Sequence, residues 1–140
     1  MSTSAPDILL IDDSPTTADL FKYALQANKS HVTMQVVYDG QSALDMLLGS
    51  SPSMSSPLPQ LILLDMHLPR LDGLEVLAQL RADARTRQVP VLIYSGSSAE
   101  EAEAEAIQHG ANGYVCKPAG FKDTCAMIKH IEDQWLKQTD

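Results

Sequence analysis

Long apolar runs are absent from this chain of 140 residues. None approaches the roughly 20 residues that a membrane-crossing helix needs. Cysteine is scarce. Cys116 and Cys125 are too few for a disulfide framework and form no CxxC or Cys/His cluster at zinc spacing, so both read as unbridged intracellular thiols. Positive charge is scarce as well. Lys and Arg number 10 against 18 Asp and Glu, and the net charge of -8 disfavours direct contact with nucleic acid or an anionic membrane. The start, Met1-Ser2-Thr3-Ser4-Ala5-Pro6, lacks the basic residues and apolar stretch of a signal peptide, so a cytoplasmic location is expected. There is no internal repeat.

What is present suits one soluble domain. With 44% hydrophobic and 20% charged residues, the 140 positions suffice for a single core, expected over about residues 6–137. Asp7-Ile8-Leu9-Leu10-Ile11 is a short apolar strand that runs into Asp12-Asp13. Ser14-Pro15 then supplies an N-cap and a first-turn proline for a helix with Leu20, Phe21, Ala24 and Leu25 inward. His31 to Tyr38 reads as a second strand, broken by Asp39-Gly40, and Ala43, Leu44, Leu47 and Leu48 line the inner face of the next helix. Gly49 to Pro59, rich in Ser and Pro, reads as a solvated loop, with a partner-binding loop as the alternative.

Leu61-Ile62-Leu63-Leu64 is a strand buried on both faces, and it ends in Asp65. Pro69 and an Asp72-Gly73 turn lead into a helix from about Leu74 to Ala84. Val91 to Ser95 is a fourth strand, and Ser98 opens a helix carrying Glu100, Glu101, Glu103 and Glu105 that ends at Gly110. Tyr114-Val115-Cys116 is a fifth strand closed by Lys117-Pro118, and the last helix sets Phe121, Cys125, Ile128, Ile131 and Trp135 on one face. Five strands alternating with five helices predict an α/β fold, a parallel sheet with helices on both faces. Ligands in such folds sit beyond the carboxyl ends of the strands.

Those ends carry Asp12 and Asp13, then Asp65, then Ser95, then Lys117. Three neighbouring carboxylates repel one another, and a hard divalent cation such as Mg²⁺ relieves that while keeping water and sharing a phosphate. A lysine can pair with a carboxylate or a phosphoryl oxygen, and a serine hydroxyl can donate to the same oxygens. The set describes a site for a phosphoryl group.

In order and separation, the pieces ILLIDD, LILLDMHLPRLDG, PVLIYSG and GANGYVCKP resemble the receiver domains of bacterial two-component response regulators, over nearly the whole chain. The resemblance implies a flavodoxin-like, doubly wound sheet in strand order 2-1-3-4-5. It implies that Asp65 accepts a phosphoryl group from a phosphohistidine on a sensor histidine kinase or a histidine phosphotransfer protein. Asp12, Asp13 and Asp65 would hold Mg²⁺, Asp12 through water, with the backbone carbonyl of His67 as a further ligand. Lys117 would bind Asp65 and then the phosphoryl group, across a Lys117-Pro118 bond that is often cis in the family. Ser95 would follow the phosphoryl oxygen, and Tyr114 would swing inward with it. The chain would then be a phosphoacceptor switch rather than an enzyme, acting on a downstream protein target through the face of the fourth helix, fifth strand and fifth helix.

Three positions depart from the common pattern. Ser95 stands where Thr is frequent, Gly96 replaces a common Ala and could open access to the phosphoryl site, and Ala119 stands where Phe is frequent. The long Gly49–Pro59 loop and the ending IEDQWL resemble the small response regulators that partner bacterial phytochromes. Since few residues follow the last helix, a stand-alone receiver without an output domain is expected.

Each feature also has a plainer reading. Asp12-Asp13 could cap a helix, Asp65 could begin a turn, and Lys117 could be a surface lysine. His31, His109 and His130 read as surface residues, and His67 could either line the phosphoryl site or lie on the surface. Tyr114 could be simple packing. The glutamates from Glu100 to Glu105 read as a solvated face, with a basic partner as the alternative. Trp135 and Leu136 either finish the core or form a homodimer patch. Two other functions compete with the switch: a phosphorylation-independent interaction module, and an aspartyl-phosphate phosphohydrolase. The second usually needs a carboxylate two residues after the nucleophile, where this chain has His67.

Overall fold

The computed structural model describes residues 6–49, 58–96 and 100–136. Every apolar run named above becomes a strand and every strand is followed by a helix: β1 Ile8–Ile11, α1 Pro15–Ala27, β2 Met34–Val37, α2 Gly40–Leu48, β3 Leu61–Leu64, α3 Gly73–Ala82, β4 Val91–Ser95, α4 Glu100–Gln108, β5 Gly113–Cys116 and α5 Phe121–Trp135. The five strands form one sheet in the order β2-β1-β3-β4-β5, and all its pairs are parallel. The expected α/β architecture and strand order are therefore observed.

Alternation along the strands divides the core in two. Leu9, Ile11, Ile62, Leu64, Val91 and Ile93 face α2, α3 and α4. Ile8, Leu10, Leu61, Leu63, Leu92 and Tyr94 face α1 and α5. All residues of β1, β3 and β4 are buried, which is why those runs lack a polar face. Each fully buried Leu or Ile contributes about 1.5–3 kcal/mol, so the three central strands form a rigid platform.

Local signals set where the helices start. Ser14 caps α1 by accepting a hydrogen bond from the Thr17 N–H at 3.2 Å, with Pro15 at the first helical position. Asp39 caps α2 through the Ser42 N–H at 2.7 Å. Asp72 and Glu75 form a reciprocal capping box on α3. The Ser98 start of α4 and most of the Gly49–Pro59 loop lie outside the described residues.

Several expectations need correction. Phe121 is 45% exposed, because it opens α5 immediately after the Gly120 cap and reaches neither core cluster. Leu20, Leu48 and Leu74 are only partly buried. The second strand is shorter than expected, since only Met34–Val37 finds partners on β1. Leu136 is buried and Trp135 packs against the same core, so both complete the α1 and α5 side. His31, His109 and His130 are exposed, as are Glu100, Glu101, Glu103 and Glu105.

One stitch at the opposite edge of the sheet has no sequence signature. The Arg81 guanidinium donates to the carbonyls of Gly110 (2.9 Å), Arg87 (3.0 Å) and Val89 (2.9 Å), and to Asn112 Oδ1 (2.8 Å). It ties the turn after α3 to the turn after α4.

Candidate functional site

Strand register brings the site together. Ile11 pairs with Leu64, so Asp12 and Asp65, each one residue further on, emerge side by side. Ser95 pairs with Cys116, so Lys117 emerges beside the end of β4. Backbone hydrogen bonds extend past the strands and hold these residues: Asp12 N–H to the Val37 carbonyl (3.0 Å), Asp65 N–H to Ile11 (2.9 Å), Lys117 N–H to Ser95 (2.7 Å).

The carboxylates converge. Ligand oxygens of Asp12, Asp13 and Asp65 lie within 4.8 Å of one another. Asp12 is fully buried, Asp65 is 5% exposed and Asp13 is exposed. Lys117 Nζ reaches in to 2.8 Å from Asp12 Oδ2 and 3.7 Å from Asp65 Oδ2. Lys117 therefore pairs with Asp65 as expected, and it has a nearer partner in Asp12 that the sequence reading did not name. Asp12 Oδ1 accepts from the Ser14 N–H at 2.9 Å, so Asp12 also braces the start of α1. Asp65 Oδ1 accepts from the His67 N–H at 3.3 Å, while the His67 side chain is exposed. The Lys117–Pro118 bond is trans, the default state of a peptide unit, in place of the cis form that the resemblance implies.

The electrostatics follow from this crowding. Burial, then the Asp12 charge, pushes the Asp65 carboxyl above its ordinary value; Lys117 and the His67 N–H act against them. Asp12 Oδ2 is buried with no hydrogen bond of proper geometry among the described residues, although the ammonium is close. One ammonium offsets only part of the charge of three converging carboxylates, so the three residues fit a hard divalent cation.

The other expected residues lie on β4, just after it, and on β5. Ser95 is fully buried at the end of β4. A Cβ added at Gly96 would meet nothing within 4 Å, so the approach on that side is open. Tyr114 is half-buried on β5 against the core under α2, α3 and α4.

Two residues of the site escaped sequence reading. A Cβ at Gly73 would collide with the Asp65 carbonyl and come within 2.8 Å of Met66 Cα, so only glycine lets α3 begin against the acceptor's backbone. The Asp72-Gly73 turn signal marks the position but not this contact. Tyr94 is 2% exposed, and Lys117 Nζ lies 5.8 Å from the centroid of its ring. Burial raises its hydroxyl pKa, with Asp12 and Cys116 adding to the effect, so the phenol stays neutral. In sequence Tyr94 is one more residue of a buried strand.

A parallel sheet in this order, with an acidic triad and a lysine at its carboxyl edge, defines a signalling domain of the receiver class. The chain belongs to the response regulator receiver domain family, whose model matches residues 8–129. It is 32% identical over 130 residues to the response regulator Rcp1 of Synechocystis sp. (strain ATCC 27184 / PCC 6803 / Kazusa), covering 93% of this chain and 88% of that protein. It is 33% identical over 129 residues to "Probable methanogenesis regulatory protein FilR2" of Methanothrix harundinacea (strain 6Ac), covering 92% of this chain and 83% of that one. The Mn²⁺-bound Rcp1 structure superposes with a TM-score of 0.80 over 97% of this chain and 98% of that chain, at 30% identity. The phosphorylated cyanobacterial phytochrome response regulator RcpA superposes with a TM-score of 0.82 over 98% of each chain, at 30% identity. No helix among the described residues is long and apolar enough to cross a membrane.

Proposed function

We propose that the chain is a phosphorylation switch whose acceptor is Asp65. The observation that carries this reading is the convergence of Asp12, Asp13 and Asp65 with Lys117 Nζ at one strand edge. One Asp65 carboxylate oxygen attacks the phosphorus of a phosphohistidine, the P–N bond breaks, and the imidazole leaves with the electron pair. Asp65 is suited to this because it is almost wholly shielded from water yet ends a rigid strand. Lys117 moves its ion pair from the carboxylates to the incoming phosphoryl oxygens. Ser95, at the end of the neighbouring strand, supplies a hydroxyl to the same oxygens. Tyr114 and the face of α4, β5 and α5 report the change to a downstream protein.

Asp12, Asp13 and Asp65, with the His67 carbonyl, would hold a divalent cation, for which we favour Mg²⁺. The cation offsets the negative charge of acceptor and phosphoryl group. The likeness to Rcp1 and RcpA supports a sensor histidine kinase of the bacteriophytochrome kind as donor. Return to the resting state is by slow hydrolysis of the aspartyl phosphate.

The test is intact mass after incubation with Mg²⁺ and acetyl phosphate. The native chain gains about 80 Da, one phosphoryl group, and Asp65→Asn gains nothing. An equal gain in both moves the acceptor elsewhere. No gain in either, with no binding of beryllofluoride, favours an interaction module that works without phosphorylation. Continuous release of phosphate from small esters would favour a phosphohydrolase.

A further inference from the structure

Tyr94 takes no part in the chemistry described above. It precedes Ser95 and points to the opposite face of the sheet. On that face β4 pairs Tyr94 with Val115, and Lys117 lies two residues beyond Val115, where its side chain returns to the same side. The Tyr94 ring packs edge-on against Phe21 of α1, with centroids 6.2 Å apart and planes at 88°. Phe21 is itself fully buried. One edge of the Tyr94 ring is therefore clamped by the core, and Lys117 Nζ lies over the ring at 5.8 Å from its centroid.

We infer that Tyr94 is a positioning residue for Lys117, its ring keeping the ammonium over the cleft when a cation takes over the Asp12 carboxylate. This rests on the switch reading of the site. Lys117 is held at rest mainly by Asp12 Oδ2, at 2.8 Å. Asp12, Asp13 and Asp65 would hold a divalent cation, which would compete for that oxygen and repel the ammonium. The Lys117 side chain is 22% exposed, and its flexible stem offers a path to water. The ring attracts a cation within about 6 Å of its centroid and has no charge for the metal to claim. Unlike the contacts of Lys117 with Asp12 and Asp65, this contact does not depend on an oxygen that the cation would also bind. Leu or Met at position 94 would fill similar core volume without that attraction, whereas Phe would keep it.

The experiment uses the full chain and Tyr94→Leu, Tyr94→Met and Tyr94→Phe, each checked for folding by thermal melting. The first readout is NMR of the metal-free proteins. The Lys117 Cε protons shift upfield under the ring in the native chain and Tyr94→Phe, and return to ordinary values in Tyr94→Leu and Tyr94→Met. The second is the rate of phosphorylation by acetyl phosphate with Mg²⁺, followed by intact mass. It falls roughly 5- to 30-fold in the Leu and Met variants, the span of a desolvated cation–ring contact, and Tyr94→Phe restores it. Should Tyr94→Leu not fold, Tyr94→Met decides. Native-like rates in folded Leu and Met variants, or no ring shift in the native chain, overturn the role of Tyr94. A native chain that takes no phosphoryl group overturns the switch reading itself, and this inference with it.

Discussion

Lys117 Nζ lies 2.8 Å from Asp12 Oδ2, inside the cleft, and makes a longer 3.7 Å contact with Asp65 Oδ2. The lysine therefore lies closer to Asp12 than to Asp65. On the proposed switch reading, a cation bound by the three carboxylates would redistribute this pairing and free Lys117 for a phosphoryl group. Asp12→Asn is expected to weaken Mg²⁺ and Mn²⁺ binding at least about tenfold, since it removes a charged ligand. It should let Lys117 close on Asp65. Calorimetric titration of both metals checks this, and unchanged affinity would remove Asp12 from the metal site.

Asp65 is held above its ordinary pKa by burial and by Asp12. Its unfolded value is near 3.8, so the folded chain binds the Asp65 proton more tightly than the unfolded chain. Stability contributed by this group is thus lost as pH rises from about 3.8 through the folded value. Asp65→Asn is expected to be more stable than the native chain at pH 7 by about 1 kcal/mol, several degrees in Tm. The gap closes as the pH falls toward 3.8. Melting curves between pH 3.5 and 7.5, roughly the interval that spans both protonation states, test the sign. A variant less stable than native at pH 7 contradicts it.

Gly73 opens α3 directly against the Asp65 carbonyl. Gly73→Ala forces that helix start away from the acceptor, at a cost of about 1–3 kcal/mol, as for other overpacked sites. Urea unfolding measures the loss. Phosphorylation should slow as well, because Asp65 shifts with its backbone. Unchanged stability would mean that the loop from Met66 to Asp72 yields more easily than this contact implies.

Arg70 adopts φ 67°, a left-handed conformation that costs an ordinary residue about 1–2 kcal/mol. Arg70→Gly relieves that strain, and the added freedom of the unfolded chain returns part of the gain. A net stabilisation of about 0.5–1 kcal/mol is expected by chemical denaturation. A loss of stability would show that the Arg70 side chain supports the loop, for instance through its attraction to Asp39.

The sequence by itself determined the element order, the sheet class and which carboxylates would stand at the strand ends. These rest on local rules: apolar runs of strand length, Ser14 as a helix cap, breaks at Asp39-Gly40 and Asp72-Gly73, and acids directly after Ile11 and Leu64. Such signals need only neighbours along the chain. Tertiary structure alone decided the pairing inside the cleft. That Lys117 leans on Asp12 follows from the registers of β1 with β3 and β4 with β5, which no local pattern encodes. The same holds for Tyr94, which reads as plain core until Phe21 and Lys117 close around it. It holds for Phe121, apolar and in phase with its helix yet 45% exposed and part of neither core cluster. Arg81 is the same case: its guanidinium joins carbonyls of the turn that follows its own helix to Gly110 and Asn112 of a distant one, and only folding brings the two turns together.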